Sequence, residues 1–388
     1  MTYLIASSSS NNRIREDTLT EMLAGQNILC FATDRWSSIW RNRHQIMSRL
    51  ARTNRVLYVE PYTYPANEAL KALVKLQERG AQLEHIADNL WVYQHPTWGF
   101  ISRWAILDQL GLRLRVLALR QVLKKLQMES PILWVVDPRH RNMVGHFKES
   151  LVCYHVVDNY AAAPWRSAQA RAVMEAEERF MLSVADLVLV TSPTLLADKK
   201  RHNSNVHLVR NAVDYAQFAA AMKGFNAPPQ DMAAIPSPII GYVGAVNNKL
   251  DYKLLDTIAR AKPSWSFVLV GPLSNQPDSA AWQFAQDHPP NVYLLGQREV
   301  TEVPYYIQAC QVCLLPYRRD NYTKSINSLK LYEYLACEKP IVATDIPIAR
   351  EHSHVVYIAK DVADFVRKLE RALEPINPER RALQRSIA

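Results

Sequence analysis

The segment that decides the fold is LLPYRRDNYTKSINSLKLYEYLACEKPIVAT, which spans Leu314–Thr344. An apolar strand at its start runs into a polar, basic loop. The loop ends at Asn327 or Ser328, and either residue is a good helix N-cap. The pattern predicts a helix from Leu329 to about Cys337, followed by a strand after a proline. Free backbone N–H groups and the positive end of this helix would then lie at the mouth of a sheet.

A helix start of this kind favours a phosphate or pyrophosphate group. Arg318, Arg319, Lys324 and Lys330 would add charge-assisted hydrogen bonds to such a group. Glu333 lies one turn further on, where a carboxylate can accept hydrogen bonds from two neighbouring hydroxyls, such as those of a ribose. The alternative interpretation is an exposed ion pair, because Lys330 and Glu333 are three positions apart on one helix face.

Short apolar runs alternate with helical patterns on both sides of this segment. In the first part of the chain the predicted strands are Asn27–Ala32, Arg55–Val59, Leu90–Tyr93, Ile132–Val136, Leu151–Val157, Leu187–Thr191 and Val206–Leu208, with helices at Arg43–Arg52 and Ala168–Ser183. In the second part they are Ile239–Val243, Ser266–Val270, Val292–Leu295, Val312–Pro316 and Ile341–Ala343, with helices at Asp251–Ala261, Val303–Ala309 and Asp361–Leu373. Apolar strands separated by helices are typical of parallel sheets covered on both faces.

The domain organisation follows from a proline-rich break between the two alternations. We predict an α/β protein with two Rossmann-like domains that face each other across a cleft. A flexible arm would cover residues 1–24, the N-terminal domain 25–222, a linker 223–238, and the C-terminal domain with a C-terminal return helix 239–388. Ligands bind beyond the carboxyl ends of strands in such sheets, so the cleft is the expected active site.

Composition narrows the class of protein. The 388 residues include 46 Lys plus Arg and 37 Asp plus Glu, a formal charge of 46 − 37 = +9, which suits an anionic partner or is simply a basic surface. The 10 glycines form neither a P-loop nor a G-x-G-x-x-G fingerprint.

Five cysteines fit a reducing compartment. Cys310 and Cys313 form a C-x-x-C, but with no second pair or histidine beside it we predict buried structural cysteines.

The sequence leaves open whether the protein contacts a membrane. The first residues, Met1–Leu23, have no apolar signal region, and no run reaches the roughly 18 apolar residues of a membrane span. We therefore expect a cytoplasmic protein, placed at the inner face of the cell membrane if residues 102–127 bind lipid. This segment is a basic amphipathic helix that suits an anionic membrane surface, or a core-packing helix with a solvated basic face.

The run Leu329–Ala336 with Lys339–Val342 resembles the K-L-x-E-Y-L-A-x-G-K-P-V-V segment of GT-B glycosyltransferases, closest to the retaining family 4 type and its teichuronic-acid-synthesis branch. Each motif is weak alone, but several follow in the family's order. These are Asp34 with Trp36 and Trp40, Arg55–Pro61, Ala185–Ser192, Val209–Asp214, Ile239–Ala245 and Asn291–Gly296. The resemblance covers roughly residues 27–373.

The resemblance implies a nucleotide-sugar donor bound by the C-terminal domain and a glycan or lipid-linked acceptor bound by the N-terminal domain. The glutamate that matches Glu333 binds the ribose in such enzymes. The predicted donor contacts are Gly244, Lys249, Arg318, Ser325, Asn327, Ser328, Lys330 and Glu333. The alternative interpretation of Lys249 is a surface lysine. Asp158 is the candidate catalytic carboxylate, and the alternative is an N-cap or loop aspartate.

Three positions depart from the family pattern. Ser325 stands where the family has an acid eight positions before the ribose-binding glutamate, Glu338 replaces the glycine before Lys-Pro, and Val157 precedes Asp158 where a histidine is usual. The chain has no D-x-D motif, which metal-dependent transferases use to hold a divalent ion. We therefore expect no metal and no cofactor: cationic side chains and helix N-termini would stabilise the leaving diphosphate.

Four functions remain open from the sequence. The first is a metal-independent glycosyltransferase of cell-surface polysaccharide or glycolipid synthesis, with retention of configuration implied by the resemblance. The second is a GT-B-like sugar-nucleotide epimerase or hydrolase. The third is a non-catalytic GT-B-like subunit, motivated by Ser325 and Val157. Nucleic-acid binding ranks last, because the chain shows no aromatic RNA-reading motif or zinc-finger spacing.

Overall fold

The computed structural model describes residues 23–38, 40–61, 82–96, 105–164, 166–274 and 279–388. The predicted flexible arm therefore lies almost wholly outside the described residues. The chain divides into two compact units, Met1–Tyr154 and His155–Ala388, and the division falls within a strand. The domain boundaries predicted at 222/223 and 238/239 stay a prediction.

The first sheet has eight strands in the order β3-β4-β2-β1-β5-β6-β7-β8. Only the β3–β4 pair among the recorded pairings of this sheet is antiparallel. The strands are β1 Asn27–Phe31, β2 Arg55–Val59, β3 Gln82–Ala87, β4 Leu90–Gln94, β5 Ile132–Val135, β6 Leu151–Val156, β7 Leu187–Val190 and β8 Val206–Leu208. The α-helices between and after them are α1 Asn42–Leu50, α2 Ala105–Lys125, α3 Ala168–Val184, α4 Pro193–Lys199 and α5 Tyr215–Lys223.

The second sheet has six strands in the order β11-β10-β9-β12-β13-β14, and all of its recorded pairings are parallel. The strands are β9 Ile239–Val243, β10 Ser266–Val270, β11 Val292–Gly296, β12 Val312–Leu315, β13 Ile341–Thr344 and β14 Val356–Ala359. The helices are α6 Tyr252–Ala261, α7 Ala280–Gln286, α8 Val303–Ala309, α9 Leu329–Ala336, α10 Pro347–Glu351, α11 Val362–Ala372 and α12 Pro378–Ile387. The predicted α/β class with two Rossmann-like sheets is confirmed.

Burial explains why the central strands of the second sheet are apolar throughout. Every residue of β9, β10, β12 and β13 is buried, because helices cover both faces of a parallel sheet. β9 also contains Gly241, which is buried but has no side chain. A Cβ atom there would lie 2.1 Å from the Cys310 sulfur, so the glycine makes room for the start of β12.

Helix α9 is followed by a residue in the left-handed conformation. Glu338 adopts the left-handed conformation, with φ of 52°, at the position where the resembling family has glycine. The backbone N–H of Lys339 donates to the Tyr334 carbonyl at 3.1 Å, which is the usual closure of a helix C-terminus. The Glu338 carboxylate accepts a hydrogen bond from Arg385 of α12 at 2.8 Å.

Helix α2 buries one face and exposes the other. Val116, Leu119 and Leu123 are buried, whereas Leu110 and Leu117 are 47% and 53% exposed. Among the described residues, no helix has the length and apolar character that crossing a bilayer requires. The predicted membrane segment 102–127 begins outside the described residues, since residues 102–104 are not among them.

The five cysteines are free and buried, as the sequence predicts for Cys310 and Cys313. The Cys310 thiol donates to the Tyr306 carbonyl at 3.2 Å. Burial raises the pKa of Cys337 to about 12, so this thiol stays protonated at neutral pH. The C-x-x-C is therefore part of the core around β12.

Candidate functional site

Two glycines shape the carboxyl edge of the second sheet. Gly244 follows β9, and its N–H donates to the Val270 carbonyl at 2.7 Å. Gly271 follows β10 with φ of 144°, and a Cβ atom on it would lie 2.1 Å from the Gly244 carbonyl oxygen. The two strand ends can approach this closely only because neither residue carries a side chain.

Lys330 of α9 lies directly against the first of these glycines. A Cβ atom on Gly244 would be 2.8 Å from Lys330 Cε, so the aliphatic stem of the lysine uses the space that the glycine leaves. Lys330 Nζ donates to the two Glu333 carboxylate oxygens at 2.8 and 3.2 Å. The lysine and glutamate side chains are only 20% and 14% exposed. The pair forms as the alternative interpretation predicts, but it is a largely enclosed pair at the sheet edge.

The loop after β9 pairs with the loop after β12. The Arg318 N–H donates to the Lys249 carbonyl, and the Asp251 N–H donates to the Pro316 carbonyl, both at 2.8 Å. The Lys249 ammonium group lies 5.2 Å from the centroid of the Tyr317 ring. Arg318 stays about half exposed and is 3.8 Å from Asp320. Both cations are thus held at the same edge as Lys330.

Tyr317 lies at the centre of this arrangement. Its hydroxyl shares a 2.8 Å hydrogen bond with the Ser328 hydroxyl. Burial raises the pKa of Tyr317 to about 12, and the negative charges of Glu333 and Asp158 add to the shift. Asp158, which follows β6, therefore acts on the same tyrosine as the α9 glutamate. The structure brings this predicted carboxylate into the electrostatic environment of the α9 start.

The loop before α9 is buried and held from two other segments. Ser325 ends a short 3-10 helix, Thr323–Ser325, and is buried. The Asn327 side-chain oxygen accepts the Asn211 N–H at 3.0 Å, and the Asn211 side chain donates to the Asn327 carbonyl at 2.5 Å. Thr194 donates to the Lys324 carbonyl at 3.3 Å. The Asn327 side chain is thus engaged by Asn211, so its role in this structure is to position the loop.

The start of α9 differs from the other starts with a Ser, Asp or Asn N-cap. Ser328 occupies the N-cap position in the extended conformation, but its side chain makes no capping hydrogen bond. The Leu331 N–H donates to the Ser328 carbonyl at 3.2 Å, and no side-chain cap competes with another acceptor for the first-turn N–H groups. Ser325, Asn327 and Ser328 are nearly fully buried, whereas Lys330 and Glu333 are partly accessible.

Sequence reasoning missed three residues of this region. Tyr317 lies inside the quoted segment but reads there as an ordinary aromatic residue. Gly271 follows a predicted strand, and a glycine in that position signals the same edge as Gly244. Asn211 lies in the quoted segment Val209–Asp214, but its contact with Asn327 gives no sequence signal, because it joins residues 116 positions apart.

Within 23–38, 40–61, 82–96, 105–164, 166–274 and 279–388, no group of three or more His, Cys, Asp or Glu side chains is arranged to hold a metal ion. The sequence-based expectation of a metal-independent reaction stays a prediction.

The two α/β sheets and the glycine-lined edge at α9 define the GT-B class of fold. Residues 237–375, which include the whole second sheet, match the family described as "Glycosyl transferases group 1". The chain is similar to sucrose-phosphate synthase from Thermosynechococcus elongatus (17% identity, 92% of each chain, TM-score 0.68). It is also similar to Anabaena HepE, solved in complex with UDP-glucose (14% identity, 93% of this chain and 94% of that one, TM-score 0.63).

Among curated proteins the chain is 29% identical over 231 residues to the "Putative teichuronic acid biosynthesis glycosyltransferase TuaH" of Bacillus subtilis (strain 168). The match spans 56% of this chain and 56% of that protein. The chain thus matches little more than half the length of this relative. The likeness agrees with the family to which the sequence motifs point.

Proposed function

We propose that this protein is a glycosyltransferase that moves a sugar from a nucleotide-diphosphate donor to a glycan or lipid-linked acceptor. The observation that carries the proposal is the start of α9 beside Gly244, which has no side-chain cap, with Lys330 on its first turn and Glu333 one turn further on. This is the chemistry that a pyrophosphate and a ribose require. The UDP-glucose named with HepE and the teichuronic acid synthesis named with TuaH support the same donor and acceptor classes.

Each charged residue would bind a different part of the donor. The diphosphate would lie at the first turn of α9, where backbone N–H groups and the helix dipole favour an anion. Lys330, Lys249 and Arg318 would neutralise the charge that develops on the departing diphosphate. Glu333, one turn further on, would exchange its ion pair for hydrogen bonds to the two ribose hydroxyls. Asp158 is the carboxylate that we propose next to the reacting sugar.

We propose a metal-independent reaction with retention of configuration. The cations above supply the charge that a divalent ion supplies to a diphosphate in D-x-D enzymes, and this chain has no D-x-D. Retention is the property of the family that the sequence resembles. It is tested by the anomeric configuration of the product, read from the NMR coupling of its anomeric proton.

The test is donor turnover by purified full-length protein. We expect it to release nucleoside diphosphate from one member of a panel of uridine-, guanosine- and adenosine-diphosphate sugars, in EDTA and only with a cell lipid or glycan extract. Glu333→Ala should reduce kcat/KM roughly 30- to 100-fold, because two hydrogen bonds to a charged group are lost. Glu370→Ala is the matched control, since Glu370 forms a surface pair with Lys262 at 2.6 Å.

Other outcomes of the same assay identify the competing functions. Release that needs no acceptor would indicate a hydrolase, and a changed sugar without release would indicate an epimerase. Nucleotide binding without turnover of any donor would indicate a non-catalytic subunit, the alternative that Ser325 and Val157 motivate. Loss of all activity in EDTA, restored by Mg²⁺ or Mn²⁺, would contradict the metal-independent mechanism.

We further propose that α2 brings the protein to the inner face of the membrane. Its exposed face carries Leu110 and Leu117 with the exposed cations Arg113, Arg120 and Lys124. Apolar side chains flanked by cations on one exposed helix face suit an anionic lipid surface. A lipid-linked acceptor would then be presented where the enzyme binds.

Vesicle co-sedimentation tests this contact. We expect the protein to bind phosphatidylglycerol vesicles but not phosphatidylcholine vesicles, and Leu117→Glu to weaken the binding about tenfold, because it removes an apolar contact and adds a repelled charge. Leu383→Glu is the matched control: this leucine of α12 is 40% exposed and carries no part of the proposed surface. Equal loss in both variants would contradict the assignment to α2.

A further inference from the structure

Among the described α-helices whose recorded N-cap is Ser, Asp or Asn, all but one are capped by that side chain. Seven α-helices begin with Ser, Asp or Asn whose side chain accepts a hydrogen bond from a first-turn N–H: Ser167, Ser192, Asp214, Asp251, Ser279, Asp361 and Asn377. Ser328 begins α9 with a suitable residue and an extended backbone, yet its side chain does not cap. The local sequence therefore provides a cap that the tertiary structure does not use.

The reason for the exception is the partner of the Ser328 hydroxyl. It lies 2.8 Å from the Tyr317 hydroxyl, and both side chains are buried. A serine hydroxyl has one donor and two acceptor sites, but in the rotamer that meets Tyr317 the Ser328 hydroxyl makes no capping hydrogen bond. The tyrosine is itself fixed, since its carbonyl accepts the Thr344 hydroxyl at 2.7 Å and its ring lies beneath Lys249.

We infer that Tyr317 is a positioning residue for donor binding: it holds the Ser328 hydroxyl in a rotamer that does not cap α9, so that no side-chain cap competes with the donor diphosphate for the first-turn N–H groups. This inference rests on the proposed function. It assigns a role to a residue that does not itself touch the donor. Without the Tyr317 hydroxyl, Ser328 would rotate and cap α9 as the other seven residues cap their helices, and the diphosphate would compete with that cap.

The Tyr317→Phe variant is expected to bind nucleotide more weakly while its stability changes little. An N-cap serine and a diphosphate would compete for the same N–H groups, and a cap of ordinary strength corresponds to a loss of nucleotide affinity of roughly five- to tenfold. The helix itself would gain a cap, so thermal stability should fall little. A mere packing defect would instead weaken binding and stability together.

The decisive measurement is a double-mutant cycle read by calorimetric titration of UDP, GDP and ADP. Tyr317→Phe is expected to raise the Kd of the preferred nucleotide roughly five- to tenfold when Ser328 is present. In a Ser328→Ala background, where no hydroxyl is left to cap, the same substitution is expected to leave the Kd unchanged. The comparison holds whatever Ser328→Ala does alone, because only the effect of Tyr317→Phe in each background is used.

The outcomes separate the inference from the proposed function. If the wild-type protein binds none of the three nucleotides, the proposed donor site is wrong and the inference is overturned with it. If the wild type binds and Tyr317→Phe has no effect, or has the same effect in both backgrounds, the donor site stands and the role of Tyr317 is refuted. If Tyr317→Phe unfolds the protein, nucleotide binding is lost in both backgrounds, and this outcome also counts against the role of Tyr317.

Discussion

Gly271→Ala is expected to lower the free energy of unfolding by about 4 kcal/mol or more. The new Cβ atom would lie 2.1 Å from the Gly244 carbonyl oxygen and 2.6 Å from its carbon. Both are backbone atoms at the end of β9, so relief requires that a buried strand move. The φ of 144° adds strain for any residue with a side chain.

Urea unfolding measures the loss, and hydrogen exchange of the β9 and β10 amides locates it. Gly145→Ala is the matched control, because Gly145 also has a positive φ, 85°, but no atom within 4 Å of the added Cβ. That variant should cost only about 1 to 2 kcal/mol, the cost of the backbone conformation alone. If the two variants are equally stable, the close approach of the β9 and β10 ends does not constrain position 271.

Lys330→Met is expected to reduce kcat for donor turnover about 100- to 1,000-fold, the usual cost of removing one stabilising group for a developing anion. Methionine keeps the aliphatic stem that packs on Gly244, so the substitution removes chiefly the charge. Because the leaving diphosphate gains charge in the transition state, kcat should fall more than KM rises. Steady-state kinetics with the donor identified from the panel measures both constants.

The matched control for this variant is Lys262→Met. Lys262 also pairs with a glutamate, Glu370, at 2.6 Å, but on the surface and away from the α9 start. It should keep kcat within about twofold, as expected for an exposed ion pair. Equal kcat in Lys330→Met and wild type would remove Lys330 from the proposed chemistry and would favour a structural role for its pair with Glu333.

The elements that the sequence predicts best are the buried ones. Arg55–Val59, Ile239–Val243, Ser266–Val270 and Val303–Ala309 have the predicted bounds, and α9 begins at the predicted Leu329. Their apolar periodicity reflects burial, which is a strong local signal. β3, Gln82–Ala87, was missed because it is a partly exposed antiparallel strand with Gln, Glu and His, a composition that does not indicate a strand.

Several elements of the second sheet region were given no bounds from the sequence, among them β14 and α12. β14, Val356–Ala359, follows a polar stretch and lies at the edge of its sheet, where few neighbours favour a long apolar run. α12, Pro378–Ile387, is rich in arginine and buries only Gln384. Its place is set by the contacts of Gln384 with the Lys339 carbonyl and of Arg385 with Glu338, each at 2.8 Å.

Some features of the candidate site can also be predicted from the sequence, and others are visible only in the structure. The sequence predicts where α9 begins and that Lys330 and Glu333 share a face, since both follow from helix geometry over a few residues. It also supplies the glycine after β9. It does not predict that Asn327 is held by Asn211, or that the Gly244 and Gly271 strand ends touch.

The sequence by itself determined the two α/β alternations, the position of the α9 start and the charges on its first turn. The tertiary structure alone decided whether the serine at that start caps the helix. In isolation Ser328 would cap, as Ser167 and Ser192 do. Folding brings the hydroxyl of Tyr317 to within 2.8 Å of it, and the buried serine hydroxyl turns to that partner. The first-turn N–H groups of α9 are left without a side-chain cap because the rotamer that meets Tyr317 makes no capping hydrogen bond.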